Sequence, residues 1–290
     1  MLVLHKLHGL GNDFLVFDAR QAGAVAFLAD AEHQARAVCE RHCGVGADGV
    51  IAVEPSNTDE ADYQMTLWNA DGSRAEMSGN GLRCVAAYIR RILGWEKDSL
   101  RVMTDVGVRT VAFLNSSGLE TRCAIQMGSP VLTAEAIPFQ MAAGLPSPLV
   151  DVALQVDAET VRATVVSIGN PHCTVFVDDA RTAPAARLGP QLERHPAFPN
   201  RTNVEFAAVR DRRNLDVAFW ERGVGHTTAS GTGACAAAVA AMLKGLVDRA
   251  VTVHTAQGAL EVAWDAVTDE VTLTGNACYI ARVEWAGVGM

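Results

Sequence analysis

Two short stretches have the composition of ligand-binding turns. Ser78-Gly79-Asn80-Gly81 runs into an apolar segment at 82–92, and Ser230-Gly231-Thr232-Gly233 runs into an Ala-rich one at 234–243. Serine is a favoured helix N-cap. A helix start offers backbone N–H groups with no internal acceptor and the positive end of the helix dipole. Glycine lets a ligand approach that backbone closely. Such a turn can therefore hold a carboxylate or a phosphate. For either serine taken singly, plain helix capping is the stronger reading.

The pairing changes that balance. Nine residues before each serine stand Asn69 and Glu221, which open the polar stretches Asn-Ala-Asp-Gly-Ser and Glu-Arg-Gly-Val-Gly. Further upstream, Gly11-Asn12 leads to Val16-Phe17-Asp18, and Gly169-Asn170 leads to Val175-Phe176 and Asp178. The order of Gly-Asn turn, polar stretch, Ser-Gly-x-Gly and helix thus occurs twice, the mark of an internal duplication. Two helix starts facing one cleft would bind one carboxylate from both sides. Residues 78 and 230 would then flank the adjacent carbon, one removing its proton and the other returning a proton on the far face. That is the geometry of an epimerase.

The rest of the chain must position these turns. Strands are expected at 3–6, 14–18, 50–53, 63–68, 100–104, 108–114 and 121–127, then at 150–156, 162–168, 174–177, 204–210 and 216–221. The last are at 251–255, 258–264, 270–274 and 277–285. Strong helices are few, and each half owns one very apolar helix, which must be surrounded. The expected fold is α+β: two pseudo-symmetric domains, each a curved mixed or antiparallel sheet wrapped around a central helix. The halves are read as 1–118 plus 276–290, and 119–275.

Composition narrows the function. At 290 residues, 49% hydrophobic and 20% charged, the chain is long and apolar enough for two globular domains. Its net charge of -9 argues against a general nucleic-acid role. Residues 1–14 lack a secretion h-region and cleavage site, and no apolar run approaches the roughly 18–20 residues of a membrane span. The seven cysteines include no C-x-x-C pair, which fits a reducing cytoplasm better than a disulfide scaffold. Cys39, His42 and Cys43 are read as helix packing, since no second ligand cluster stands at zinc-like spacing. Gly44-x-Gly46-x-x-Gly49 matches a dinucleotide fingerprint, but a helical pattern precedes it and a strand follows, the reverse of what that motif requires. No metal is expected.

These residues also carry a family resemblance. His8-Gly-Leu-Gly-Asn-Asp-Phe14, Gly44-Val-Gly-Ala-Asp-Gly49, Asn69 to Ser73, Gly79 to Cys84, Gly169-Asn-Pro-His172, Asn203-Val-Glu205, Glu221 to Gly225 and Gly231 to Cys235 resemble the diaminopimelate epimerase family in its own order. The resemblance implies interconversion of LL- and meso-2,6-diaminopimelate, a step supplying lysine, with neither pyridoxal phosphate nor any other cofactor. It maps the backbone clamp on the reacting carboxylate to Gly79-Asn80 and Gly231-Thr232. Distal recognition maps to Asn12, Asn69, Asn170, Asn203, Glu221 and Arg222, whose planar fork suits a carboxylate. His172 and Glu221 match positions that tune the proton-transfer groups. Read without the resemblance, the asparagines are turn formers, Arg222 is a surface ion-pair partner and His172 is a satisfied core histidine. The partners expected are a small-molecule amino acid, diaminopimelate, and a second copy in a homodimer, with no nucleic acid and no membrane.

One departure is chemical. The family's two proton-transfer cysteines correspond to Ser78 and Ser230 here. A free thiol titrates near about 8.5 and lower at a helix N-terminus, whereas a serine hydroxyl needs its own base. Three readings follow: an exchange that traps substrate, natural divergence with weak or altered chemistry, or an amino-acid-binding protein that has lost catalysis. A racemase, isomerase or dehydratase of another amino acid is a further alternative. His226, where the family usually has glutamate, is either an ordinary loop histidine or an aid to activating Ser230.

Overall fold

The computed structural model describes residues 1–140 and 147–287. They form two compact units, Met1–Ile125 with the chain from Thr274 onward, and Gln126–Leu273. The first boundary therefore lies a few residues beyond the expected 118/119. Strand pairing is the reason. β7 (Gly107–Ser117) runs antiparallel to β8 (Glu120–Gly128), from Ser117 opposite Glu120 to Val111 opposite Ile125, and keeps 120–125 with the first unit.

In the first unit β1 (Leu2–Gly9) joins β2 (Asn12–Asp18) through Leu10 and Gly11, both in the left-handed region at φ 53° and 78°. This is the two-residue turn that matches strand twist, and it needs positive φ at both positions. β3 (Gly49–Pro55) lies parallel to β2, and β4 (Tyr63–Asn69) antiparallel to β3. The short β5 (Arg74–Ala75) pairs with β4, which also takes β6 (Ser99–Thr104) in parallel, and β6 pairs with β7. The helix α3 (Gly79–Arg91) packs on β1, β2 and β3. The outer face carries α1 (Ala24–Ala29) and α2 (Ala31–Cys39), where Phe17, Phe27, Val38 and Trp68 close a second core.

The second unit repeats this plan. β9 (Leu149–Val156) and β10 (Glu159–Ser167) are antiparallel, as are β10 and β11 (Pro171–Phe176). β12 (Asn203–Asp211) is parallel to β11, and β13 (Asn214–Glu221) antiparallel to β12. β14 (Gly225–Thr227) folds onto β13, which also takes β15 (Ala250–Thr255) in parallel, and β16 (Gly258–Trp264) follows antiparallel. The central helix α5 (Gly231–Leu243) touches β10, β11, β12, β13, β15 and β16. On the other face α4 (Ala185–Glu193) covers β9, β12 and β13. Each half is therefore a mixed sheet around a buried helix, with a second helical layer outside. Strands such as β2, almost wholly buried, need cover on both faces.

The expected strands at 270–274 and 277–285 form one continuous strand, β17 (Val271–Trp285). Gly275 and Asn276 read as a break, yet the inward–outward alternation runs through them, and the Arg83 side chain bonds the Asn276 carbonyl at 3.2 Å. The short strands β5 and β14 follow the two polar stretches and have no counterpart among the expected strands. The helix α4 was missed because Gly189 and Pro190 interrupt its pattern. Among the described residues no helix is long and apolar enough to cross a membrane.

Gly189 is required by α4 packing. A Cβ there would meet the Trp220 ring at 2.5 Å, and that ring is held by its Nε1–H bond to Glu193 at 2.8 Å. Alanine would gain about 1 kcal/mol of helix propensity, but overpacking costs roughly 1–3 kcal/mol. Gly189→Ala is therefore expected to lower the urea midpoint of unfolding.

Candidate active site

Both helix starts have the predicted form. Ser78 is extended at φ -137° and ψ 122°, and its Oγ accepts the Gly81 N–H at 3.0 Å. Ser230 is extended at φ -136° and ψ 129°, and its Oγ accepts the Gly233 N–H at 3.3 Å. The backbone N–H groups at Gly79-Asn80 and Gly231-Thr232 occupy the first helical turn, where no intrahelical acceptor exists. All four residues are buried. Around them α3 and α5 are sealed by the sheets, so each helix keeps its positive end inside a low-dielectric shell.

Behind the first start runs a directional chain of side chains. Arg83 is fully buried. It donates through Nη2 to Asn80 Oδ1 and through Nη1 to the Gly79 carbonyl at 3.4 Å. Asn80 Nδ2 donates to Asn12 Oδ1 at 3.2 Å, and Asn12 Nδ2 donates to Asp48 Oδ2 at 2.7 Å. Arg41 bridges Asp48 at 2.7 Å and Asp13 at 2.9 Å, and Lys6 meets Asp13 at 2.9 Å. Each amide accepts at one end and donates at the other, which fixes its orientation. Burial would push the Asp13 carboxyl up, but the hydrogen bonds from Arg41 and Lys6 outweigh it and hold the group below the ordinary aspartate range. Asn69 ends β4 opposite Gly49 and donates to Ser73 Oγ at 3.0 Å. Asn12, Asp48 and Asn69 thus gather at one end of β2, β3 and β4.

The second unit places its candidates at the same end of the equivalent strands. Asn170 precedes β11, Asn203 opens β12 and Glu221 closes β13. Asn203 Nδ2 donates to the Pro171 carbonyl at 3.1 Å, while its Oδ1 accepts the Arg222 N–H at 3.0 Å. Arg222 Nη1 donates to the Asn200 carbonyl at 3.2 Å, and Glu221 Oε1 accepts from Thr227 Oγ1 at 2.7 Å. His172 is completely buried, with Nδ1 at 2.6 Å from Glu205 Oε1 and Nε2 at 2.8 Å from Asn170 Oδ1. Burial raises the Glu205 carboxyl, an effect partly offset by His172 and Thr174.

The chain resembles known proteins over nearly its whole length. A family model described as diaminopimelate epimerase matches residues 4–133 and 164–280. The diaminopimelate epimerase of Moorella thermoacetica is 45% identical over 277 residues, covering 96% of each chain, and that of Desulfitobacterium hafniense is 44% identical over 96% of this chain and 95% of its own. This chain belongs to the diaminopimelate epimerase family. The fold extends further. A hydroxyproline epimerase from Agrobacterium vitis superposes with a TM-score of 0.69 at 16% identity, over 97% of this chain and 90% of that one. A probable proline racemase from Agrobacterium radiobacter gives 0.70 at 15%, over 99% and 93%.

Serine, not cysteine, stands at 78 and 230, and the neighbouring cysteines lie inside the helices. Cys84 and Cys235 are buried within α3 and α5, and desolvation drives the Cys84 thiol far up. Burial likewise pushes the Cys39 thiol up to about 12, and among the described residues no three His, Cys, Asp or Glu side chains gather as a metal group. His226 is exposed on β14. The candidates missed from sequence are Arg83, Asp48 and Glu205. Each left a signal, as a charge inside an apolar run or beside a glycine turn.

The Asp13 cluster gives a pH dependence. A carboxyl held low in the folded state stabilises above its unfolded value near about 3.9, and that stabilisation is lost as pH falls through the folded value. Asp13→Asn is expected to be less stable than the parent chain at pH 7. The gap between their urea midpoints should close in the acid range below the ordinary aspartate value.

Proposed function

We propose that this chain interconverts LL- and meso-2,6-diaminopimelate by a two-base mechanism, as a step of lysine biosynthesis, with no cofactor. Residues 78 and 230 hold the two proton-transfer positions. The observation that carries the reading is the matched pair of serine-capped helix starts, alike within a few degrees in φ and ψ. First-turn N–H groups at Gly79-Asn80 and Gly231-Thr232 neutralise the reacting carboxylate, which lets charge develop on the adjacent carbon. Asn12, Asn69, Asn170, Asn203, Glu221 and Arg222 recognise the rest of the substrate, and His172 with Glu221 tunes the proton-transfer groups. The cytoplasm is the compartment proposed, since all seven cysteines are free, Cys43 exposed among them. The homodimer expected from the sequence stays part of this proposal, and the sedimenting mass tests it.

Serine sets the rate. Each hydroxyl already accepts a backbone N–H, and neither is a strong enough acid to supply a ready base near neutral pH. The same bonds favour a second reading, an amino-acid-binding protein that retains recognition without turnover. Exchange of the α-proton of LL-diaminopimelate in deuterated water separates the two. The expected result is slow exchange by the chain as it stands, rising by roughly 100- to 10,000-fold in Ser78→Cys/Ser230→Cys, the usual range for a positioned acid–base group. Exchange gained only in the double variant favours the binding protein, and no binding by either form rejects diaminopimelate as the ligand.

A further inference from the structure

The repeat changes chemistry beneath the helix starts. His172 pairs with Asn203 in the second unit, as Phe14 pairs with Gly49 in the first. His172 therefore stands where Phe14 stands, two residues past the Gly-Asn turn. Glu205 stands where Ile51 stands, two residues further along the neighbouring strand. The helix starts give the same correspondence. A Cβ on Gly81 would meet Ile51 Cδ1 at 3.1 Å, and one on Gly233 would meet Glu205 Oε1 at 3.0 Å. An apolar pair in one half is an ionisable pair in the other.

That pair is sealed, with His172 0% and Glu205 1% exposed. The groups facing it are the Thr174 hydroxyl at 3.5 Å from Glu205 Oε2, Asn170, the α5 backbone at Gly233 and the Phe219 ring. A bare carboxylate in such surroundings is costly. A shared proton at the 2.6 Å Nδ1–Oε1 contact removes that cost in either limiting form, carboxylic acid with neutral imidazole or carboxylate with imidazolium. In both forms Nε2 also carries a hydrogen. It then meets only an acceptor, so Asn170 turns Oδ1 inward and its two amide hydrogens outward.

We propose that Glu205 is a positioning residue that, through the proton it shares with His172, fixes the Asn170 side chain as a hydrogen-bond donor to substrate. The proposal rests on the assignment of Asn170 to substrate recognition. The arrangement that opposes it is a neutral His172 with hydrogen on Nδ1 alone, favoured by the positive end of α5 acting on an ionised Glu205. A bare Nε2 would then draw the Asn170 amide inward and present its oxygen to the ligand.

Long-range proton–nitrogen correlation on the labelled, ligand-free chain distinguishes the two, with His172→Gln identifying the His172 signals. The expected result is a protonated Nε2 that persists between about pH 6 and 8; a bare Nε2 overturns the proposal. Calorimetric titration of the same chain with meso-diaminopimelate supplies the second arm. Glu205→Leu, which removes the partner of Nδ1, is expected to weaken binding about tenfold or more, the effect of losing a hydrogen bond to a charged group. Glu205→Gln keeps a partner for Nδ1 and is expected to lose less, with circular dichroism confirming that both variants fold. Equal affinity in all three chains overturns the proposal. Failure of the parent chain to bind rejects the substrate assignment instead, and the ring spectrum still decides the proton arrangement.

Discussion

A helix buried along its whole length still has unsatisfied N–H groups in its first turn. In both halves of this chain that constraint organises everything else. The sheets surround α3 and α5 on their flanks, so water and neighbouring strands satisfy little there, and the polar demand concentrates at one end. Serine meets part of it, accepting the third N–H of each helix. The N–H groups of the two residues before it have no acceptor within the helix. Glycine at 81 and 233 is needed because side-chain or ring atoms stand about 3 Å from any added Cβ.

The surrounding network follows from the same demand. Amide side chains are ambiguous ligands, since oxygen and nitrogen ends are almost the same shape. In the first unit, Arg83 and Asp48 remove the ambiguity by anchoring opposite ends of the Asn80–Asn12 pair. In the second, Asn203 is fixed by two backbone groups and carries Arg222 with it. Preorganised donors of this kind act without reorganising when charge develops on a ligand. Neither cap carries a thiol; serine stands at both.

The duplication is close in backbone and loose in chemistry. Strand order, parallel and antiparallel pairings and cap dihedrals recur, because they are set by sheet and helix geometry. Side chains at equivalent positions are free to differ, and they do: Phe14 and Ile51 against His172 and Glu205, Gly49 against Asn203, Asn69 against Glu221.

The repeat, the two capped turns, most of the strands and the family motifs are legible in the residues alone, because these are local. A Ser-Gly-x-Gly before an apolar run, a Gly-Asn turn and a period-2 pattern each act over a few residues. The order of elements around the Gly44 to Gly49 turn was legible too: α2 precedes it and β3 follows. What lies behind the turns depends on how distant segments pack. Arg83 reads as one charge in an apolar helix, and Glu205 as one charge in an apolar strand. Arg83 reaches the Asn276 carbonyl and Glu205 reaches His172 and Thr174, contacts between distant parts of the chain made by strand pairing and helix burial. The outer helix α4 and the unbroken β17 were hidden for a related reason: packing against a sheet and inward–outward alternation override the local preference of Gly and Pro to break an element.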